Sequence, residues 1–174
     1  MEENQIKPGK FSWTYGLITG MASVILGAML YFADMAYEQR WEVTVLGLLI
    51  LTAGVVLGIL SFKKANGGFL KLAQALKLGA GIGAVAALLG IVWHLLLTNV
   101  IEPDFIDNVM AFQKAKILKE NPGMDVAQLD KGMEMQKSIM AYATYPVMII
   151  FNVIVGLIIG LIAGLITKKE PDTY

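Results

Sequence analysis

The stretch that decides the fold runs from Lys63 to His94 and reads KKANGGFLKLAQALKLGAGIGAVAALLGIVWH. It opens with paired lysines and an Asn-Gly-Gly break, continues through an amphipathic segment, and ends in a glycine-rich apolar run that carries the chain's one histidine. Lysines beside a chain reversal, followed by a long apolar run, are typical of a membrane protein that turns back at the membrane surface. The sequence on either side repeats this alternation of polar turns and apolar runs.

The composition excludes an ordinary soluble domain. Hydrophobic residues make up 56% of the 174-residue chain and charged residues only 16%. A helix needs about 20 apolar residues to cross a hydrocarbon core of about 30 Å. We therefore expect an all-α fold, a four-helix integral membrane bundle that forms a single domain over residues 1–174. The uncharged runs place its spans at about residues 12–33, 43–62, 78–101 and 143–167.

The charge distribution predicts how the chain is threaded. With the N-terminus inside, the inner segments carry eight basic and four acidic residues, and the outer segments carry six basic and ten acidic. Because Lys and Arg concentrate in cytoplasmic loops, both termini are expected to be cytoplasmic. Residues 63–77 then form a cytoplasmic amphipathic hinge. Two interpretations of this hinge stay open: it lies in the headgroup plane, or the third helix begins early and its first turns protrude.

The one sizeable polar segment, at about residues 102–140, is predicted to form an extracytoplasmic cap. Pro103 is suited to the first turn of a helix, and Asn121-Pro122-Gly123 should end it. Asp125 with Gln128 has the spacing of a capping box for a second helix. The expected cap therefore consists of two short amphipathic helices between the third and fourth spans.

Glycines recur at helical spacing inside the predicted spans. Small residues four apart make a flat helix side on which a neighbouring helix packs closely. We expect this packing role for the following residues: Gly16, Gly20, Gly54, Gly58, Gly79, Gly83, Gly156, Gly160 and Gly164.

Four polar residues are candidates for a binding site. His94 is an ionisable group inside a predicted span, and such groups are often functional. Glu102 and Asp104 follow it, and the three together suggest proton relay or a divalent ion. A lone histidine beside Trp93 near the headgroups is, however, usually an amphipathic interfacial residue. Asn152 is the strongly polar interior residue of the fourth span. It is expected to hydrogen-bond across helices, with Thr52, Ser23 or His94 as candidate partners.

Half of the ten methionines lie in the predicted cap, at Met110, Met124, Met133, Met135 and Met140. Thioethers bind Cu(I), but methionine is also a flexible apolar residue for helical surfaces. We assign no metal site and no cofactor. Cysteine is absent, which excludes disulfides and thiolate chemistry, and no basic block suggests nucleic acid.

Several short motifs carry a family resemblance when they are taken together: Tyr15-Gly16-Leu17, Gly67-Gly68-Phe69, the run from Gln74 to Gly79, and the run from Ile101 to Phe105. They resemble a domain-of-unknown-function family, number four-one-nine-nine, of small four-helix bacterial membrane proteins. The resemblance covers about residues 9–169 and implies an inner-membrane location. It brings no activity, ligand or catalytic residue.

These observations predict a non-enzymatic protein of the bacterial inner (plasma) membrane. Its expected role is that of a structural or accessory subunit of a membrane assembly, with the lipid bilayer, further copies of itself or other membrane proteins as partners. The alternatives are a small transporter or channel acting as an oligomer, and an extracytoplasmic metal-sensing protein.

Overall fold

The computed structural model describes residues 6–38 and 40–169, and within these ranges the fold is all-α. Four of its helical segments are long and apolar enough to cross a membrane: Pro8–Phe32, Trp41–Ala65, Leu72–Ile101 and Val126–Thr167. The helical segments are α1 (Pro8–Phe32), α2 (Trp41–Ala65), α3 (Leu72–Leu96), a π-helical turn (Leu97–Ile101), α4 (Phe105–Glu120) and α5 (Val126–Thr167).

The turn between α2 and α3 is built by its own residues. Gly67 and Gly68 have positive φ angles of 67° and 85°, which glycine adopts without steric cost. The Asn66 side-chain amide donates a hydrogen bond of 3.0 Å to the Phe69 carbonyl and closes the turn. α3 then begins at Leu72, so the second half of the predicted hinge 63–77 forms the first turns of this helix.

α3 is the central helix of the bundle and packs along both α5 and α1. Its contact with α5 is backbone against backbone. A Cβ atom on Gly79 would overlap the carbonyl oxygen of Gly156, and a Cβ on Gly83 would overlap the carbonyl oxygen of Asn152. The two helices run antiparallel in this register, which is why Tyr145 on α5 comes to lie beside His94 on α3.

The core is concentrated towards the end of the bundle where α2 ends and α3 begins. Phe62 is fully buried there, and the ring of Phe11 from α1 meets it edge-on at 5.5 Å between centroids. Further fully buried side chains stack below and beside it: Val55, Ile59, Leu70, Leu78 and Ile82.

The prediction of two short cap helices is wrong for the second of them. α4 is a separate helix, but the segment after Asp125 continues through Pro146 as one 42-residue helix. Asp125 caps this long helix as predicted, because its carboxylate accepts a hydrogen bond of 2.9 Å from the Ala127 backbone amide. Nothing between Ala141 and Thr144 breaks the helix, and the Thr144 hydroxyl donates to the Met140 carbonyl at 2.6 Å. Proline inside an apolar helix is tolerated when side chains satisfy nearby carbonyls.

Candidate functional site

The candidate residue Glu102 lies directly after the π-helical turn and holds three chain segments together. The Tyr37 hydroxyl, from the α1–α2 connection, donates to both of its carboxylate oxygens at 2.8 and 3.0 Å. The side-chain amide of Asn108, in the first turn of α4, donates to one of them at 2.6 Å. We call Tyr37, Glu102 and Asn108 the outer latch, where "outer" names the end of the bundle at which α1 ends and α2 begins and "inner" names the opposite end.

Hydrogen bonding shifts the titration of both ionisable members of the outer latch. Donation from Asn108 and then from Tyr37 lowers the pKa of Glu102, although partial desolvation opposes this. The bond to Glu102 and partial desolvation raise the pKa of Tyr37 to about 12. The Tyr37 ring also packs on Phe105, with centroids 5.6 Å apart. Because its lone pairs are engaged by donors, this carboxylate acts as a structural acceptor between the loops.

His94 lies on α3 in the outer half of the α3–α5 contact. Its ring meets Tyr145 edge-on, with centroids 5.7 Å apart and planes at 83°. Its Nδ1 atom is buried and has no hydrogen-bond partner among the described residues. The Thr98 hydroxyl donates a hydrogen bond of 2.8 Å to the backbone carbonyl of His94 and not to its imidazole ring. His94 is therefore a packed aromatic neighbour of Tyr145 with one unsatisfied nitrogen.

The structure does not bring the predicted set His94, Glu102 and Asp104 together. Glu102 follows His94 by eight positions, a displacement of roughly 12 Å along a helix axis. Asp104 is exposed at the start of α4 and makes no capping hydrogen bond with its side chain. Within residues 6–38 and 40–169, no group of three or more His, Cys, Asp or Glu residues is arranged to hold a metal ion.

The polar residues inside the spans bond to their own helices. The Asn152 amide donates to the Met148 carbonyl at 2.9 Å, and Thr52 donates to the Leu48 carbonyl at 2.7 Å. Ser23 donates to the Thr19 carbonyl at 3.1 Å. Each thereby satisfies its polar atoms locally, as hydroxyl and amide groups in apolar helices commonly do. The predicted cross-helix hydrogen bonds of Asn152 are not formed in the structure.

All nine glycines proposed for packing face a neighbouring helix. Gly16 and Gly20 on α1 receive the side chains of Val85 and Leu89 from α3. On α2, Gly54 receives the Thr19 side chain and Gly58 receives those of Ile82 and Tyr15. The remaining five line the α3–α5 contact: Gly79, Gly83, Gly156, Gly160 and Gly164. The glycine faces are thus used within this chain.

α4 and the N-terminal part of α5 form a helical pair that we call the outer hairpin, residues 105–137. Lys114 pairs with Asp130 at 2.5 Å, and Lys137 pairs with Asp107. Val109 and Met110 are the buried residues of α4. The two helices therefore meet through charged pairs at the rim and a small apolar centre.

Two grooves of about 360 and 420 Å³ flank the outer hairpin. Met110 and Met133 line the first, and Met124 and Met133 line the second. Met135 points away and is 65% exposed, so the suggestive pair Met133 and Met135 does not share a face. Met133 also lies 12 positions from Tyr145, the neighbour of His94, or roughly 18 Å along α5. The predicted methionine and histidine groups are therefore separate in space.

A second set of contacts, which the sequence did not predict, lies at the end of the bundle where α2 ends and α3 begins. Lys63 donates from Nζ to the Thr167 carbonyl at 2.7 Å. Leu70 and Lys169 form an antiparallel backbone bridge with N–O distances of 2.8 and 3.1 Å. We call these four residues the inner clasp. The one visible signal was the shared pattern of a hydroxyl residue followed by lysines at the ends of α2 and α5, which indicates a common membrane side but no contact.

Comparison with known proteins identifies the family of the chain. The chain matches the family described as "Protein of unknown function (DUF4199)" over residues 14–169. No curated protein and no solved structure shows a significant match to the chain. The matched range extends from the first turns of α1 to the inner clasp and includes every helix described above. The chain therefore belongs to the DUF4199 family of proteins of unknown function.

Proposed function

We propose that this protein is a non-enzymatic, multi-pass subunit of a bacterial inner-membrane assembly, with both termini in the cytoplasm. The observation that carries the proposal is the length of α5. At 42 residues and about 1.5 Å per residue it extends roughly 63 Å, about twice the hydrocarbon thickness of a bilayer. One continuous helix thus joins the membrane bundle to the outer hairpin.

The register of α3 and α5 places the outer hairpin beyond the bundle. Tyr145 is level with His94, and antiparallel helices put the level of Glu102 near Lys137 on α5. The residues of α5 before Lys137 therefore rise above the outer latch by roughly 15–20 Å. The ion pairs Lys114–Asp130 and Lys137–Asp107 hold α4 alongside this projecting part.

The projecting part of α5 and the turns just below it expose apolar side chains on one side. Met135, Ile139 and Tyr142 are 65%, 57% and 85% exposed, and their spacing of four and three places them on one helix face. This face runs from the level of the last turns of the third span onto the projecting part of α5, and an exposed apolar face on a stiff support is suited to contact with another protein. This supports a role as a structural or accessory subunit.

Site-specific photo-crosslinking tests the proposal. A photo-reactive amino acid at Ile139 should give a discrete higher-mass adduct in native membranes. The same group at Ile158, which is 52% exposed on the membrane part of α5, should give mainly lipid adducts. If Ile139 yields no protein adduct and native mass spectrometry in mild detergent finds only monomer, the assembly role is wrong.

Topology has its own test, because the chain contains no cysteine. Single cysteines replacing the exposed residues Lys77 and Lys116 should differ in their reaction with a membrane-impermeant maleimide added to intact cells. Lys116→Cys should react, and Lys77→Cys should react only after lysis. The reverse pattern would overturn the cytoplasmic placement of the termini.

A small transporter or channel acting as an oligomer is the second candidate. The Nδ1 atom of His94 favours it, because this atom is buried without a partner among the described residues. An unsatisfied polar atom inside a span is energetically costly unless a ligand or an ion satisfies it. Under this hypothesis, His94→Ala or Asn152→Ala changes flux in liposomes. Unchanged flux in both variants would remove these residues from any pathway.

A further inference from the structure

We propose that the inner end of the bundle binds the phosphate headgroups of anionic lipids through a ring of lysines. The inner end means the surface formed where α1 and α3 begin and where α2 and α5 end. This inference concerns a lipid ligand and does not depend on which protein partners the outer hairpin contacts.

Four helix ends meet at this surface. Phe62, from the last turns of α2, and Leu70, just before α3, are fully buried there. The side chains of Ile6 and Phe11, at the start of α1, pack against them. The inner clasp attaches the end of α5, through Thr167 and Lys169, to Lys63 and Leu70. The lysines of all four helix ends are therefore held close to one plane.

The segments at this end of the bundle carry a net positive charge, because over the whole chain they hold eight lysines and four acidic residues, and those four lie outside the described residues. Within residues 6–38 and 40–169, its segments contain lysines and no acidic residue, whereas every Asp and Glu in those ranges belongs to the opposite end. Seven of these lysines are exposed: Lys7, Lys10, Lys64, Lys71, Lys77, Lys168 and Lys169. In the described part of the chain, none of them is neutralised by an ion pair of the kind seen in the outer hairpin.

The lysines lie at the level of the helix ends, where lipid headgroups are found. A lipid headgroup therefore fits this position better than a soluble partner does. Lys64 and Lys168 lie within one or two residues of the ends of α2 and α5, and Lys77 lies in the second turn of α3. Long lysine stems cover apolar surface while the ammonium group reaches the interface. Leu165 and Ile166, exposed immediately before Lys168, provide apolar surface for lipid chains at the same site. Clusters of four to eight basic residues beside spans favour anionic lipids.

Two lysines of this surface already make structural contacts, which narrows the set of lysines available for a lipid headgroup. Lys63 is partly buried and donates to the Thr167 carbonyl, and Lys169 lies over the Phe69 ring at 5.8 Å. These contacts hold the inner clasp, so their replacement would perturb the fold. Lys64, Lys77 and Lys168 make no side-chain contact of this kind within the described residues, and they are the lysines to replace in a binding test.

Tryptophan fluorescence gives a test with an internal control. Trp13 lies near the inner end of α1 and is 57% exposed, whereas Trp41 lies at the opposite end and is 72% exposed. Full-length proteins that retain only one tryptophan are reconstituted with brominated phosphatidylglycerol or brominated phosphatidylcholine. Quenching then reports which lipid lies beside each tryptophan.

At Trp13 we expect a preference for phosphatidylglycerol of roughly fivefold, the size that one juxtamembrane lysine confers. Trp41 should show little preference. The triple variant Lys64→Gln, Lys77→Gln, Lys168→Gln should lose the preference. The matched outer triple of exposed lysines Lys116→Gln, Lys119→Gln, Lys131→Gln should keep it. Molar NaCl should weaken it, because the screening length falls to about 3 Å.

Equal quenching by the two lipids at Trp13 would overturn the proposal, and so would a preference that survives in the inner triple variant. Millimolar inorganic phosphate distinguishes the source of the anion. If free phosphate abolishes the preference at constant ionic strength, the lysines form a site for soluble anions and the lipid assignment is wrong.

Discussion

Gly79 and Gly156 face each other so closely that each occupies the place of the other's missing side chain. A Cβ on Gly79 would overlap the Gly156 carbonyl oxygen, and a Cβ on Gly156 would overlap the Gly79 carbonyl oxygen. The obstructing atoms are backbone atoms, which cannot rotate away as a side chain would. The α3–α5 contact therefore depends on glycine at both positions.

Alanine at Gly79 should destabilise the bundle, by about 1–3 kcal/mol, the usual cost of overpacking a close contact. Gly47→Ala is the matched control, because a Cβ at this position on α2 has no neighbour within 4 Å. Thermal unfolding in detergent, followed by circular dichroism, measures the difference. Equal midpoints for the two variants would contradict the close packing of α3 on α5.

Removal of the Tyr37 hydroxyl should weaken the attachment of the α1–α2 connection to Glu102. Tyr37→Phe removes both hydrogen bonds to Glu102 while keeping the ring that packs on Phe105. We expect faster amide exchange in the α1–α2 connection and in the first turn of α4. Tyr142→Phe is the control, since Tyr142 is 85% exposed. Unchanged exchange in Tyr37→Phe would show that the latch carries no stability.

The two ionisable residues of the outer latch should make folding stability depend on pH in opposite directions. Glu102 has a lowered pKa in the folded protein. Its contribution to folding stability is therefore present above the unfolded-state pKa and is lost as the pH falls through the lower folded-state pKa. Tyr37 has a raised pKa of about 12. Its contribution is therefore complete below the unfolded value of about 10 and is lost as the pH rises towards 12.

Ultraviolet titration of the phenolate checks the alkaline side. The difference between the wild type and Tyr37→Phe should titrate near pH 12, and Glu102→Gln should move this midpoint towards the ordinary value because the ionised acceptor is gone. A midpoint that does not move in Glu102→Gln would mean that Glu102 is not the cause of the raised pKa.

Replacing His94 distinguishes a structural role from a functional one. His94→Phe keeps the edge-on contact with Tyr145 and removes the unpartnered Nδ1 atom, so stability should rise by about 1 kcal/mol. His94→Ala should lower stability, because it leaves a cavity beside Tyr145. Thermal unfolding of both variants is the measurement. A destabilised His94→Phe protein would indicate that the ring nitrogens have a partner, such as water or a ligand.

The outer hairpin should be only weakly stabilised by its ion pairs. Lys114 and Asp130 are 36% and 46% exposed, and pairs of this kind contribute about 0.2–1 kcal/mol. A double-mutant cycle with Lys114→Ala and Asp130→Ala, read from amide exchange in α4, should give a coupling in this range that falls with salt. Lys116→Ala with Asp130→Ala is the control pair. Equal coupling in the two cycles would contradict the pairing.

The sequence by itself determined the parts of this protein that depend on local composition. Four uncharged runs were enough to identify the four long apolar helices, because each must satisfy its own backbone in lipid. Asn66-Gly67-Gly68 predicted the turn, and Asp125 predicted a helix start. The nine glycines chosen by their spacing face a neighbouring helix, but Gly27, Gly81 and Gly90 do so as well, and the pattern did not say which helix each one meets.

Only the tertiary structure decided which residues meet. Glu102 finds its donor Tyr37 65 positions away, and Lys63 finds the Thr167 carbonyl 104 positions away. Such pairs depend on how helices are set against each other, and local periodicity does not encode that. The antiparallel register set by Gly79 and Gly156 places His94 beside Tyr145. The eight positions between His94 and Glu102 along one helical segment keep those two residues apart. In the same register the start of α5 extends beyond the bundle. The segment predicted to be a two-helix cap is therefore a projecting hairpin.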